Sequence, residues 1–308
     1  MNDNIRANWL PPVLGVIALA PLLFLGGPDF HAPRSWKLAW QLGHPLLFFL
    51  LLLALVAGTR ARDWSLGRRV GLGLAVGLAV GGAIEWLQGL IGRESSLNDL
   101  RLDLLGALLG ALCCVGAGSG AERRLGWGFA IVAGAVLLVL DLRPLAVAVI
   151  DEYRAWRSFP VLSDFSTPFE TGRWHADGGL RVVPAPGGVG GNALRVELRP
   201  AAYAGFRLVH FPRDWRGYRE LRLRMHAEAG QRLVCRIHDR AHDDHHADRF
   251  NRAFAIVPGW NELTIPLVEV ARAPRGRAMA MGDVAELGCF RADLRDPVTL
   301  HLGVVELR

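Results

Sequence analysis

Two hydrophobic periods divide the chain. Up to about residue 145 the apolar residues come in long runs broken by short polar stretches; from about Val161 they alternate with polar ones. A helix needs roughly 20 mostly apolar residues to cross the hydrocarbon core of a bilayer. Segments 9–27, 38–59, 104–121 and 125–140 carry no charge, and 70–92 carries only Glu85. The pattern predicts five transmembrane helices. Alternation then marks half-buried strands, as at Leu194/Val196/Leu198, Leu221/Leu223/Met225 and Leu233/Cys235/Ile237. Further strands are expected at 206–211, 254–257, 262–266 and 298–307, with breaks at 184–192 and Pro258-Gly259. Eight or more short strands point to an antiparallel sandwich of jelly-roll type. The expected organisation is a membrane all-α helical bundle over 1–145, a linker over 146–160 and an all-β jelly-roll sandwich over 161–308.

Charge sets the orientation. Arg60, Arg62, Arg68 and Arg69 separate the second and third runs, and Arg123 and Arg124 the fourth and fifth. With Arg6, these share one side if the N-terminus is cytoplasmic, as the positive-inside rule requires. The other side holds Arg34, Lys37, Arg93 and Arg101. An odd number of spans then places the C-terminal domain outside the cytoplasm, on a multi-pass protein of a bacterial inner membrane. The net charge of +6 is spread evenly, with 12 basic and 9 acidic residues before position 151 and 23 and 20 from there on. Such a spread is not a nucleic-acid footprint. Cys113 and Cys114 read as apolar packing. Cys235 and Cys289 each read as a buried strand residue in a compartment where a disulfide would also persist, and both states stay open.

The third and fourth runs carry the chain's most informative spacing. Gly73, Gly77, Gly81, Glu85 and Gln88 fall on one helix face, and Asp99, Asp103, Gly106 and Gly110 on another. Small residues along a face let helix backbones approach closely. With the short turn between them, the two glycine faces are expected to press together and to gather the polar groups at the outward end, level with His44. Carboxylates in a span usually face a polar interior and find a partner, for which Arg93 or Arg101 is placed. A polar pocket and a structural clamp are equally compatible with this spacing.

Glu85-x-x-Gln88, Arg93, Ser95 or Ser96, Asp99, Gly106 and Gly110, preceded by His44-Pro-Leu-Leu-Phe48-Phe49, resemble the signature of the VanZ-like membrane proteins. The likeness covers about the first 120 residues. It departs from the pattern at Asp103, where the family has Asn, and lacks the Asp-Lys pair that closely precedes the His. The resemblance implies a role in the cell envelope, since one family member is associated with resistance to the antibiotic teicoplanin, but supplies no biochemical activity. Phe165, Glu170 and Trp174, then Gly191-Asn-Ala-Leu-Arg195 and the closing strand 300–307, resemble galactose-binding-like jelly rolls. Many of these are carbohydrate-binding modules. Their frequent Asp in the last strand is replaced here by the stretch His301-Leu-Gly303-Val.

Segment 238–251 holds His238, Asp239, His242, His245, His246, Asp248, Arg249 and Asn251. It reads in three ways: a solvated hairpin tip, a metal site without any fixed zinc spacing, or a glycan-binding loop. In the last, His238, Asp239, Asp248, Arg249 and Asn251 hold hydroxyls, while Phe250 or Trp260 stacks on a sugar. No G-x-S-x-G elbow, phosphate-binding Gly-Lys-Ser/Thr loop or H-E-x-x-H occurs. The sequence thus presents no case for a known enzyme class, a resident metal or a cofactor. The expected partners are the lipid bilayer and an envelope glycan or lipid-linked glycan. The rival readings are an enzyme using His44, Glu85, Asp99 and Asp103 on a lipid-linked substrate, and a scaffold binding another protein.

Overall fold

The computed structural model describes residues 3–23, 27–29, 31–90, 97–113 and 120–308, in two compact units, Met1–Ala146 and Val147–Arg308. The first is helical: α1 (Asp3–Leu19), α2 (Arg34–Gln41), α3 (Gly43–Gly58), α4 (Leu66–Leu90), α5 (Leu97–Cys113) and the start of α6 (Gly120–Ser158). Among the described residues three stretches are long and apolar enough to cross a membrane, Arg34–Gly58, Leu66–Leu90 and Trp127–Ser158. The expectation of five is corrected accordingly. The apolar part of the first helix, Leu10–Leu22, is shorter. Helix α5 has only 17 residues and opens on Asp99, Arg101 and Asp103. It has little need of an apolar surface, because its Leu102, Gly106, Ala107, Gly110 and Ala111 are buried.

The glycines explain that burial, in a different pairing from the one their spacing predicts. Side-chain atoms built at Gly73, Gly77 and Gly81 of α4 would strike Ala107, Leu104 and Asp103 of α5. At Gly106 and Gly110 of α5 they would instead strike the Pro45 and Phe49 backbone of α3. The two glycine rows therefore do not face each other: α5 lies between α3 and α4, and each row admits a different neighbour. Leu47, Phe48, Leu52 and Val56 of α3 form the core of the unit with Ala107. Many apolar side chains elsewhere point outward, including Leu14, Ile17, Leu78, Ile131, Val136 and Val139.

The expected linker over 146–160 is helical as far as Ser158, the last residue of α6. Its Ala146, Ala148, Glu152, Arg154, Ala155 and Arg157 favour helix, and Pro144 is accommodated inside the helix.

The second unit is a sandwich of antiparallel sheets. Its strands are β1 (Val161–Ser163), β2 (Trp174–Ala176), β3 (Leu180–Pro184), β4 (Asn192–Leu198), β5 (Ala201–Leu208) and β6 (Glu220–Ala227). They continue with β7 (Gln231–Asp239), β8 (Phe250–Ile256), β9 (Gly259–Pro266), then α7 (Leu267–Arg272), β10 (Val284–Leu294) and β11 (Val298–Leu307). One sheet has the order β3-β4-β11-β6-β9, with β1 on β11; the other has β2-β5-β10-β7-β8. In each, the central strand is one of the last two in the sequence. Leu194, Leu223, Met225 and Leu302 meet Phe206, Leu233, Ile237 and Leu287 in the core, around Trp215 and Phe165. Cys235 and Cys289 stand opposite each other on β7 and β10 and are joined by a disulfide.

Candidate functional site

The outer face of the five-stranded sheet carries a cleft of about 910 Å³, towards the upper end of the roughly 300–1,000 Å³ typical of ligand sites. Strand register builds its floor. His175, Arg207, Gly288, Arg236 and Asn251 stand side by side on β2, β5, β10, β7 and β8. The glycine at the centre makes the row concave. A side chain on Gly288 would press on Arg207, Arg236 and Glu286, and one on Gly205 in the next row would strike Phe290. The opening left by these glycines is occupied by a clamp. Glu286, 4 % exposed, accepts Arg236 Nε at 3.0 Å and Nη2 at 2.8 Å on Oε1, and Arg207 Nη1 at 3.3 Å on Oε2.

Aromatic rings flank the clamp. Phe290 lies 6.0 Å from the Arg236 guanidinium and meets Tyr203 edge to face at 5.9 Å; Tyr203 is 71 % exposed. Arg249 enters from the strand-connecting segment before β8, and its buried Nε has no hydrogen-bond partner. Burial, and then the charge of Arg236, lower its guanidinium pKa. Sequence reasoning missed Arg207, Arg236, Glu286 and Phe290. Gly205 and Gly288 were the available signal, since a lone glycine inside a strand often marks the close approach of another group.

The loop residues singled out from sequence divide between two roles. Asp239 and Asp248 hold Arg277. Its Nη1 and Nη2 reach Asp239 at 2.6 and 2.8 Å, and its Nε and Nη2 reach Asp248 at 2.6 and 2.7 Å. Asp239 also accepts the Ala280 N–H at 2.6 Å. Burial alone would raise the Asp239 carboxyl, but Arg277 and that N–H hold it below its ordinary value. The hydrogen bonds from Arg277 hold Asp248 well below its own. With their oxygens committed, these carboxylates staple the loop rather than wait for hydroxyls. Arg249 and Asn251 belong to the cleft side, as does His238, whose register partner is Glu286. Burial pushes the His238 imidazole below its ordinary pKa.

In the helical unit His44, Glu85, Gln88 and Asp103 are buried. His44 Nδ1 lies 2.9 Å from Asp103 Oδ1, and Nε2 lies 3.9 Å from Asp99 Oδ2. The approach of α3 at Gly106 brings His44 to α5. Arg93 and the two serines of the signature lie outside the described residues. Arg101 turns to Asp141, at 2.5 Å. Among the described residues two groups have ligand atoms within 4.8 Å of one another, His44/Glu85/Asp103 and His242/Asp243/Asp248. The second fits a metal poorly, because Arg277 already occupies Asp248.

No family model matches the chain, and neither does any curated protein. Among solved structures, the chain is similar to the family 11 carbohydrate-binding module of Clostridium thermocellum, at 14 % identity over 48 % of this chain and 93 % of that one, TM-score 0.36. It is similar to an exo-beta-agarase at 13 % identity over 48 % and 24 % of the two chains, TM-score 0.39. A family 30 carbohydrate-binding module of a Clostridium thermocellum cellulosomal cellulase gives 15 %, 44 % and 86 %, TM-score 0.33.

Proposed function

We propose that this chain is a membrane protein of the bacterial envelope whose sandwich binds a glycan in the cleft of the five-stranded sheet. The observation that carries the reading is the cleft itself. Exposed Tyr203 and half-buried Phe290 give flat apolar faces for a sugar ring, and guanidinium groups held by Glu286 give directed hydrogen bonds beside them. Both kinds of group stand on paired strands, which fixes their spacing before a ligand arrives. The agent of recognition is therefore the sheet face, with Arg249 and Asn251 at its edge.

Membrane insertion is supported by the three long apolar helices and by the outward-facing apolar side chains of α1, α4 and α6. In the proposed topology the connection bearing Arg60, Arg62, Arg68 and Arg69 is cytoplasmic and α5 returns between α3 and α4. The sandwich then lies outside the cytoplasm, where its disulfide persists. A VanZ-like identity for the helical unit is part of the proposal, supported by the burial of Glu85, Gln88, Asp103, Gly106 and Gly110 on facing helices.

The test is affinity electrophoresis of the full-length protein in detergent through gels containing single polysaccharides, for wild type and for Tyr203→Ala and Phe290→Ala. Retardation by at least one polysaccharide, lost in both variants, is expected. No retardation by any of a broad panel would remove the reading. A second reading, acid–base chemistry on a lipid-linked substrate, is favoured by the 2.9 Å contact between His44 and Asp103. Turnover of such a substrate by the purified protein, abolished by His44→Gln, would establish it.

A further inference from the structure

Resting on that reading, we infer that the ligand of the cleft is an anionic saccharide, recognised through carboxylate or sulfate groups. The inference comes from an imbalance between donors and acceptors. Three guanidinium groups, Arg207, Arg236 and Arg249, line the cleft, and each offers five N–H donors and no acceptor. The acidic groups around them are Glu286 and Asp177 beside the cleft and Asp244, whose charge also acts on Arg249. Both oxygens of Glu286 are committed to Arg207 and Arg236, and Asp177 Oδ2 accepts the Gly205 N–H at 2.7 Å. Arg236 donates through Nε and Nη2, Arg207 through Nη1 alone, and the buried Nε of Arg249 donates to nothing.

A neutral sugar hydroxyl both donates and accepts, so a site built for it pairs each donor with a nearby acceptor, often a carboxylate. Of the cleft's carboxylates, Glu286 is spent on Arg207 and Arg236, and Asp177 holds the Gly205 N–H. What remains is a surplus of planar forks, the geometry that carboxylate and sulfate oxyanions match with two parallel bonds. Charge agrees with geometry. Arg236 and Arg249 repel across the cleft, and Glu286 is shared between Arg207 and Arg236, so an incoming anion relieves a repulsion that a neutral ligand leaves in place. Phe290 and Tyr203 remain for the sugar ring that carries the anion.

The experiment is calorimetric titration of the full-length protein in detergent with polygalacturonate, a sulfated galactan and an uncharged galactan, at low and high salt. Either or both anionic polymers should bind about tenfold or more tightly than the uncharged one, and weaken as salt rises. The polymer that binds shows whether carboxylate or sulfate is the group read. Arg249→Gln should lower anionic binding about tenfold, the loss of a charge-assisted hydrogen bond. It should leave the melting temperature in place, since no acidic group of the protein is bonded to Arg249. If Arg249→Gln fails to fold, Arg207→Gln gives the same comparison, because Arg236 still donates twice to Oε1 of Glu286. Equal binding of charged and uncharged galactans, insensitive to both variants, overturns the anionic inference and leaves the glycan reading standing. Absence of binding to all three and to the wider polysaccharide panel overturns both.

Discussion

Arg173 gives Asp151 four hydrogen bonds, at 2.8, 3.1, 3.1 and 3.3 Å, three to the carboxylate and one to the backbone carbonyl. Both side chains are buried, 4 % and 2 % exposed, and Arg173 Nη1 also donates to Leu162 at 2.8 Å. The last turns of α6 thus belong to the sandwich energetically. Removing Asp151 leaves Arg173 only its longer pairing with buried Glu170, at 3.6 Å, at a cost of up to roughly 3–5 kcal/mol.

The fragment 147–308 should therefore fold alone as a strand-rich domain, and 158–308, which lacks Asp151, should be less stable by about that amount. Asp151→Ala in the longer fragment should reproduce the loss. Urea denaturation followed by circular dichroism measures it, and equal midpoints for the two fragments would contradict the assignment.

The disulfide makes a second prediction. Cys235 and Cys289 close a loop of sequence separation 54, and replacing both by Ala should cost about 2–4 kcal/mol. Peptide mapping without reductant should recover them as one linked species from protein produced through the secretory route.

Orientation is tested by reporter fusions. A reporter active only outside the cytoplasm should work when joined after Arg308 and fail when joined after Arg69. Activity at Arg69 would reverse the topology proposed from the arginine distribution.

The staple at Arg277 should appear in the pH dependence of stability. Asp239 and Asp248 have folded pKa values below the unfolded value of about 3.9. Their contribution is therefore fully present above that value and is lost as pH falls below it, through the folded values. Arg277→Met leaves both carboxylates without their cation and should lower the melting temperature at pH 7. The gap from wild type should narrow as the pH falls below about 4. A gap unchanged between pH 7 and pH 3 would show that the staple is not electrostatic.

In the helical unit the decisive position is Gly106, where a side chain would run into the Pro45 backbone. Gly106→Leu should abolish folded yield, overpacking by more than the roughly 1–3 kcal/mol a core usually tolerates. Asp103→Asn keeps a polar partner for His44 and should change thermal stability in detergent by only about 1 kcal/mol. Fluorescence-detected size-exclusion after heating compares them.

Much of this architecture was legible because it rests on period. Alternation located β4, β6, β7 and β11, and the four-residue glycine spacing located the buried faces of α4 and α5. The missed features arise from contacts distant in sequence. Strand β10 was legible only at Cys289, because Gly288 and the charged Glu286 and Arg291 break its alternation, although a buried clamp is what Glu286 is there to form. The carboxylates of the loop were visible, but their partner Arg277 lies 29 residues beyond Asp248, and no local pattern announces such a pair. The glycine rows were found without their partners for the same reason: a small residue shows that something approaches, not which helix does.

The order of strands has a consequence for how the domain comes into being. Strand β10 sits between β5 and β7, and β11 between β4 and β6, yet both follow all the others in the sequence. As the chain emerges, neither sheet can close progressively. Each waits as separated strand pairs with bare edges, which are templates for aggregation, until its keystone is inserted. Closure of the sandwich therefore waits until β10 and β11 have both been made. Loss of the residues from Val284 onward would leave two unzipped half-sheets instead of a trimmed domain. A nascent-chain series released at increasing lengths should stay protease-sensitive until β11 is included, then become resistant in a single step.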